Sequence, residues 1–291
     1  MKITGVTIIR NALKNDYPIV EAIASILPVV DEMIVSIGDS EDETETLIRN
    51  ISSDKIKIVY STWDLRYRKG GEILAVETNK ALEHVSVDTD WIFYIQGDEV
   101  IHEQYHANIL SATQKYLQDP SVEGLLFNYL HFYGTYDYVG NSRKWYDVET
   151  RIIRNNIGIR SYRDAQGFRK ANHQKIKVAR IDAFVCHYGW VKDPAQMKAK
   201  QKNVAAFWND DQALEKILKE EDFFDYSEFD SIKKFTGTHP AVMQSRIQRK
   251  NWEVRLDVRQ NNLKWKYRLL NWIERCTGKR LFTFRNHVVV K

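Results

Sequence analysis

The chain has little cysteine and little proline, with 2 and 5 residues of these types among 291. Cys186 and Cys276 lie far apart and form no C-x-x-C pattern, which excludes a disulfide framework and a cysteine zinc cluster. The most apolar stretch, residues 22–37, is interrupted by a proline and two acidic residues, so it cannot cross a membrane as a helix. Residues 1–11 also lack the pattern of a signal peptide. We therefore expect a cytoplasmic protein in a reducing compartment.

Apolar residues, by contrast, are plentiful enough for a core. Hydrophobic residues make up 43% of the chain and charged residues 28%. A chain of this length buries roughly three-quarters of the surface that its unfolded form exposes. This composition excludes an intrinsically disordered chain and is typical of a globular protein.

Charge is unevenly distributed along the chain. Residues 231–291 contain 15 Lys and Arg against 3 Asp and Glu, a net charge of +12. Because the whole chain carries +4, residues 1–230 carry −8. An acidic body is therefore followed by a basic segment, which could contact an anionic membrane at its inner face, nucleic acid or the acidic body itself.

The first third of the chain alternates between strand and helix patterns. Short apolar runs predict strands at residues 4–9, 33–37, 56–60 and 91–95. Helices are predicted from Asp16, after a capping box at Ser40 and Glu43, and over residues 72–84. Further strands are predicted at 124–132, 150–153 and 181–187, and helices at 194–208 and 263–276. This order favours an α/β fold with a mostly parallel sheet flanked by helices.

Polar residues follow the predicted parallel strands at their carboxyl ends, where ligands bind in such sheets. They are Arg10 and Asn11, Asp39 and Asp42, Lys69, and Gln96 with Asp98 and Glu99. A buried strand that ends in two successive acidic residues is suited to a divalent cation such as Mg²⁺ or Mn²⁺, which prefers oxygen ligands and shares them with substrate phosphates. A solvated turn after a strand is the alternative interpretation.

Four motifs resemble one enzyme family in their order and spacing. They are VDEMIV at residues 30–35, S-x-D-x-T at 40–44, TN-x-AL at 78–82 and DWIFYIQGDE at 90–99. The set resembles the family 2 glycosyltransferases of the GT-A fold, and in particular bacterial members that build surface polysaccharides and lipooligosaccharides. The likeness covers residues 1–105 well and continues less tightly to 205. It implies a catalytic domain over 1–205, with a nucleotide-sugar-binding half (1–105) and an acceptor half (106–205), and leaves 206–291 as a helical, basic extension.

The resemblance implies a nucleotide-diphospho-sugar donor whose diphosphate is held by Mn²⁺ or Mg²⁺. It assigns Asp98 as a metal ligand, with Glu99 as a further candidate, while Gln96 stands where the family has its first aspartate and would instead hydrogen-bond the ribose or a metal-bound water. The H-Y-G-W segment at 187–190 and the following helix make His187 a metal ligand and Lys200 a diphosphate contact. The donor-binding residues expected in all are Arg10, Asn11, Asp39, Asp42, Lys69, Asn79, Gln96 and Lys200. The family's strand-two aspartate is absent, since Ile37 and Gly38 stand there, so the base is left open.

Inverting transfer requires a carboxylate that takes the proton of the acceptor hydroxyl. The segment 151–168 lies where the family has a His-Glu pair, but Ala165 and Gln166 replace that pair. Asp164 is the nearest candidate base, and Asp147 and Glu149 are its rivals.

Two other functions compete with the glycosyltransferase. His102-Glu103-x-x-His106 matches the H-E-x-x-H pattern of zinc metallopeptidases, although no third ligand follows at the usual spacing and the motif begins four residues after Asp98. A non-catalytic nucleic-acid or carbohydrate binding protein would explain the basic residues around Trp252, but it leaves the acidic strand end unexplained. Departures such as Gln96 also leave room for a relative that binds without turnover.

The predicted helix 263–276 carries an apolar stripe of Trp265, Leu269, Trp272, Ile273 and Cys276. Such a stripe is typical of a helix docked on a core, and this is the arrangement that we expect. A basic amphipathic helix at a lipid surface, bringing the enzyme to a lipid-linked acceptor, is the alternative.

Overall fold

The computed structural model describes residues 1–219 and 221–290. The strands are β1 Ile3–Ile9, β2 Glu32–Ile37, β3 Ile56–Tyr60, β4 Trp91–Tyr94, β5 Glu99–Ile101, β6 Gly124–Gly140, β7 Val148–Arg154, β8 Ile159–Tyr162, β9 Gly167–Lys170, β10 Ile176–Val191, β11 Ile232–Lys234 and β12 His287–Val289. The α-helices are α1 Ile19–Ile26, α2 Thr44–Arg49, α3 Glu72–Leu82, α4 His106–Tyr116, α5 Pro194–Ala205, α6 Asp211–Leu218, α7 Gln244–Gln248 and α8 Trp265–Thr277.

A central sheet organises these elements in the order β12-β10-β6-β7-β4-β1-β2-β3. Strands β3, β2, β1 and β4 are parallel to one another, whereas β7 is antiparallel to both β4 and β6. Apolar side chains leave both faces of β1, and residues of α1, α2 and α4 pack on one face while α3 and the β8–β9 hairpin pack on the other. The predicted α/β fold, with a mostly parallel sheet flanked by helices, is therefore confirmed.

The long strands β6 and β10 bring the second half of the chain beside the carboxyl end of β4. They run parallel, and their register places His131 opposite His187. The short strand β5 turns back antiparallel to β10 and places Glu99 opposite His187 on its other side. The turn that connects β4 to β5, which carries Gln96 and Asp98, therefore lies against His187.

The capping box predicted at Ser40 and Glu43 is wrong. The first residues of α2 are held by Asp42, whose carboxylate accepts a hydrogen bond from the Thr44 backbone N–H at 3.1 Å. Ser40 instead accepts one from the backbone N–H of Asn11 at 3.0 Å. Ser40 therefore holds the loop after β1, whereas the local sequence predicts that it caps α2.

The expectation that the apolar stripe of α8 docks on the core is also wrong. Trp265 is 78% exposed, Trp272 63% and Leu269 48%, whereas Leu270 is the buried residue of this helix. Gly278 follows α8 in the left-handed conformation with φ 66°, which ends the helix close to the predicted residue 276.

Residues 206–290 are joined to the main sheet at two places in the described part of the chain. Strand β11 pairs antiparallel with the end of β6, and β12 pairs parallel with the start of β10. The division of the chain at residue 205 stays a prediction. None of the described helices is both long enough and apolar enough to span a membrane.

Candidate active site

A cavity of about 320 Å³ opens at the carboxyl ends of β1 and β4, the place where the sequence predicts a ligand. Six residues that the sequence singles out line it, namely Arg10, Gln96, Asp98, Asp164, His187 and Lys200. Aromatic side chains make up much of the remaining wall, among them Tyr17, Trp63, Tyr94, Tyr146, Trp190, Phe207 and Trp208. The cavity thus combines a small group of charged side chains with broad apolar surfaces, as binding sites for small molecules generally do.

Asp98 lies between two basic side chains in this cavity. Its Oδ1 is 3.7 Å from His187 Nε2, and its Oδ2 is 3.3 Å from Lys200 Nζ. Burial by itself would raise the pKa of Asp98, but the charge of Lys200, followed by those of His187 and Lys192, lowers it to about 2. Asp98 is therefore a carboxylate at any physiological pH.

A second histidine decides which nitrogen of His187 carries its proton. His131 Nε2 lies 2.8 Å from the Tyr146 carbonyl, and since a carbonyl only accepts, this nitrogen carries a hydrogen. Burial, and then the charge of His187, lowers the pKa of His131 to about 3, so its Nδ1 has no hydrogen. His187 must donate from its own Nδ1 across the 3.1 Å that separates the two Nδ1 atoms. Burial also lowers the pKa of His187, so its ring is neutral at neutral pH and its Nε2 is left with a lone pair that faces Asp98.

Gly189 leaves space between these two acceptors. A Cβ at this position would lie 2.6 Å from Asp98 Oδ2 and 2.8 Å from His187 Nε2. A carboxylate oxygen and an imidazole lone pair that face each other across a gap without a side chain form a donor set that suits a divalent cation. Within residues 1–219 and 221–290, no three His, Cys, Asp or Glu side chains gather into a metal site. A cation here would take its other ligands from a bound molecule and water.

Two lysines give the site its positive charge. Lys200 Nζ donates to the Gly189 carbonyl at 3.1 Å and lies 4.5 Å from the ring centre of Tyr17. Burial lowers the pKa of Lys200, but Tyr17 and Asp98 raise it more, so Lys200 stays charged. Lys192 is 1% exposed, and burial, together with the charge of Lys200, lowers its pKa to about 7. Lys200 therefore keeps its charge beside Asp98, whereas the charge of Lys192 changes near pH 7.

Glu99 does not face the cavity. Its two carboxylate oxygens accept hydrogen bonds from Arg151 at 2.7 and 2.8 Å, and the Tyr129 hydroxyl donates a third at 2.7 Å. Both side chains of the pair are fully buried. Glu99 also accepts from the Gln96 backbone N–H at 3.1 Å, so it anchors the turn that carries Asp98. This geometry argues against Glu99 as a metal ligand.

The three candidate bases lie in different environments. Asp164 lines the cavity, and burial raises its pKa. Asp147 accepts two hydrogen bonds from Arg285, at 2.6 and 2.9 Å; burial opposes its ionisation, but Arg285 lowers its pKa. Glu149 is buried, and burial raises its pKa to about 8. Neither rival lines the cavity, and only Asp164 faces the space that holds Asp98.

The other predicted donor-binding residues mostly hold loops. Asn11 accepts from the Glu41 backbone N–H at 2.7 Å, Asp42 from that of Lys14 at 2.8 Å, and Asn79 from that of Ser161 at 2.8 Å. Asp39 pairs with the cavity residue Arg10 at 3.2 Å. Lys69 is exposed and does not line the cavity. The roles of these residues in donor binding stay predictions.

The H-E-x-x-H motif does not form a zinc site. His102 Nε2 lies 2.9 Å from Thr238 Oγ1, and His102 Nδ1 accepts from the Gln104 backbone N–H at 3.2 Å. His106 Nε2 lies 2.8 Å from the Ser25 carbonyl. The histidines do not converge because His102 precedes a 3₁₀ turn and only His106 belongs to α4. The metallopeptidase alternative is therefore wrong.

Sequence reasoning missed three features of this site. His131 is recognisable only from its register opposite His187, and Lys192 looks like an ordinary polar residue at the end of a strand. The third feature is an aromatic wall, in which the rings of Trp63 and Phe207 lie 5.1 Å apart. Gly38 explains the strand-two departure, because a Cβ there would lie 2.4 Å from Trp63 Nε1. The sequence signal that could have indicated this aromatic wall is the segment 63–69, because it contains Trp63 and follows a predicted strand.

Comparisons with known proteins give only distant likenesses. No family model and no curated protein matches the chain. Among solved structures, S. aureus TarS is 14% identical with a TM-score of 0.42, over 75% of this chain and 42% of its own length. Its 1–349 fragment in complex with UDP is 16% identical with a TM-score of 0.38, over 75% of this chain and 70% of the fragment. Glucosyl-3-phosphoglycerate synthase from Mycobacterium tuberculosis, in complex with Mn²⁺, UDP and phosphoglyceric acid, is 22% identical with a TM-score of 0.29, over 45% of this chain and 43% of that one. With TM-scores below 0.5, these likenesses carry no argument about the activity of this chain.

Proposed function

We propose that this chain is a family 2 glycosyltransferase of surface-polysaccharide synthesis that moves a sugar from a nucleotide-diphospho-sugar donor to a glycan or lipid-linked acceptor. The observation that carries the proposal is the convergence of Asp98, His187 and Lys200 on one cavity at the carboxyl ends of the parallel strands. A carboxylate, an imidazole lone pair and an ammonium at one place suit a diphosphate with its cation. The four sequence motifs support the same conclusion independently.

In the proposed reaction, the negative charge of the leaving diphosphate has to be neutralised. Mn²⁺ or Mg²⁺ held by Asp98 and His187 would supply that charge stabilisation when bound. Lys200 keeps its charge and is placed to contact the phosphates next to the cation. The Trp63–Phe207 wall offers an apolar surface for the nucleobase, and Arg10 lies 5.7 Å from the Phe207 ring on the same wall.

The acceptor side needs a base, and Asp164 is the residue that we assign to it. Its raised pKa increases its affinity for a proton compared with an exposed aspartate. It accepts the proton of the acceptor hydroxyl as that oxygen attacks the sugar carbon and the bond to the diphosphate breaks, with inversion at that carbon. A positioned base of this kind contributes roughly 10²- to 10⁴-fold to the rate.

Thermal-shift screening of a nucleotide-sugar panel with and without Mn²⁺ tests the proposal. A ligand present at about 100 times its dissociation constant stabilises the folded state by ~2.7 kcal/mol. We expect a Mn²⁺-dependent rise in Tm with at least one donor, and we expect Asp98→Asn to lose this rise while keeping the fold. Turnover of the same donor is measured as release of the nucleoside diphosphate.

Asp164→Asn is the matched control, because it also replaces a cavity aspartate by asparagine. We expect it to keep the Mn²⁺-dependent rise in Tm and to lower turnover by about 10²-fold or more. A donor-dependent shift without turnover in the unaltered chain would indicate a protein that only binds. Unchanged turnover in Asp98→Asn would falsify the assignment of the cation site.

A further inference from the structure

The face of α8 that the sequence assigns to the core lies in solvent. Trp265, Leu269 and Trp272 follow one another at spacings of four and three residues, which places them on one side of the helix. Trp265 is 78% exposed, Trp272 63% and Leu269 48%, so the described part of the chain covers at most about half of each side chain. The apolar ridge formed by these three residues is therefore unpartnered.

A basic cleft of about 680 Å³ borders this ridge. Trp272 lines the cleft together with five cationic residues, Lys233, Lys234, Arg259, Arg268 and Arg275. The other described residues that line it are apolar or uncharged, so none of them is acidic. Arg259 is paired with Asp257, which lies outside the lining, and Lys233 and Lys234 are exposed on the short strand β11.

Cations beside exposed indole rings fit one kind of partner best. Tryptophan combines a large apolar surface with an N–H donor and favours the boundary between lipid headgroups and acyl chains. Lysine and arginine beside it meet headgroup phosphates. A nucleic-acid backbone would use the cations, but it offers no apolar phase for three side chains on a helix ridge. We propose that the ridge and the basic cleft form a docking surface for an anionic lipid bilayer.

A third cavity lies between the docking surface and the candidate active site. This cavity of about 380 Å³ shares Asn141, Asn271 and Arg275 with the basic cleft and shares Tyr146 with the active-site cavity. If the proposed function is correct, an acceptor anchored in the bilayer would approach the active site from this side. The docking itself does not depend on the proposed activity.

Vesicle flotation tests the docking surface. The full chain is mixed with vesicles of phosphatidylcholine alone or with one-third phosphatidylglycerol, at moderate and at high salt. We expect binding to the anionic vesicles, weaker binding at high salt, and little binding to the neutral vesicles. Trp265→Ser with Trp272→Ser removes the ridge and should reduce binding at both salt concentrations. Lys233→Gln, Lys234→Gln and Arg275→Gln together should weaken it by roughly fivefold for each cation, about a hundredfold in all.

Matched controls come from exposed residues elsewhere on the chain. Phe223→Ser removes an aromatic residue that is 69% exposed, and Lys57→Gln removes an exposed cation, so neither should change vesicle binding. Because all substituted side chains are exposed, the Tm of each variant and its donor-dependent shift should match those of the unaltered chain. This separates failure of the docking surface from failure of the proposed function.

Two results would overturn the proposal. One is no flotation with anionic vesicles at moderate salt, or flotation that the ridge and cleft variants leave unchanged. The other is salt-dependent binding of RNA or DNA that needs the five cations but not the two tryptophans, with no binding to vesicles, which would make the surface a nucleic-acid site.

Discussion

At the scale of single residues, the candidate cation site depends on a missing side chain. Asp98 and His187 face each other only because Gly189 has no Cβ to fill the space between them. The tautomer of His187 depends in turn on His131, which is fixed by a backbone carbonyl. Partners that orient a ligating imidazole in this way contribute about 10- to 100-fold to metal affinity in proteins generally. The site is thus defined by its neighbours as much as by its ligands.

Gly189→Ala tests this dependence. Because φ at Gly189 is not in the left-handed region, alanine fits the backbone, and its methyl group would enter the gap between the Asp98 and His187 side chains. We expect Mn²⁺ affinity, measured by titration calorimetry or electron paramagnetic resonance, to fall at least 10-fold, while the far-ultraviolet circular dichroism stays unchanged. Gly97→Ala, next to Asp98 in the chain, is the control, since the nearest atoms that its Cβ would meet are apolar and lie at 3.1 Å or more. Equal Mn²⁺ affinity in Gly189→Ala and the unaltered chain would contradict the assignment.

At the scale of secondary-structure elements, an ion pair between two strands positions the turn that carries Asp98. Arg151 on β7 donates to both oxygens of Glu99, the first residue of β5, and also to the Gln166 carbonyl at 3.0 Å. The arginine therefore connects three separate segments around the cavity. Both charges are fully buried, and each compensates part of the free-energy cost of burying the other.

Arg151→Met removes one partner and leaves a buried carboxylate. Loss of one member of such a pair costs roughly 3–5 kcal/mol, because the remaining charge stays desolvated without compensation. We expect a decrease of this size in the free energy of unfolding, measured by urea denaturation. The double variant Glu99→Gln with Arg151→Met should recover part of the loss, since no unpaired charge then remains. If the destabilising effects of Glu99→Gln and Arg151→Met simply add in the double variant, the two residues are not coupled as described.

At the scale of the whole molecule, the two charge regions have different surroundings. The acidic body contains the buried carboxylates of the cavity, whereas the basic segment joins the sheet through β11 and β12 and exposes the ridge of α8. Ion pairs also cross between the regions, as between Arg285 and Asp147. The proposed division at residue 205 separates two parts of the sequence that share one sheet.

The stability of the whole molecule should depend on pH through Glu149. Burial raises its pKa to about 8, while the unfolded chain has an ordinary value near 4.5. Between these values the folded state binds more protons than the unfolded state, so stability from this group is present below pH ~4.5 and is lost as pH rises to about 8. We expect the Tm of Glu149→Gln, measured by calorimetry, to fall less between pH 5 and pH 8 than that of the unaltered chain. Parallel curves for the two proteins would contradict the assignment of this pKa shift.

The order of elements was readable from the amino-acid sequence because hydrophobic periodicity and turn residues are local. Seven strands occur close to their predicted positions, as do the helices predicted after Asp16, at 72–84, at 194–208 and at 263–276. The carboxyl ends of the parallel strands likewise placed Asp98 and Arg10 in the cavity, since the topology of such a sheet brings these ends to one edge. His187 and Lys200 were predicted to belong to the same site from the family resemblance, not from hydrophobic periodicity.

The tertiary structure alone decided those features that depend on partners distant in sequence. Whether Glu99 is a free ligand or a buried ion-pair partner depends on Arg151 in another strand, and the proton on His187 depends on His131 across a strand pair. The stripe of α8 has the same helical spacing whether it packs on a core or faces solvent, so the sequence determined the helix and its apolar side but not its neighbour. Periodicity is a property of one element, whereas burial, ionisation and exposure depend on what the rest of the chain brings to its surface.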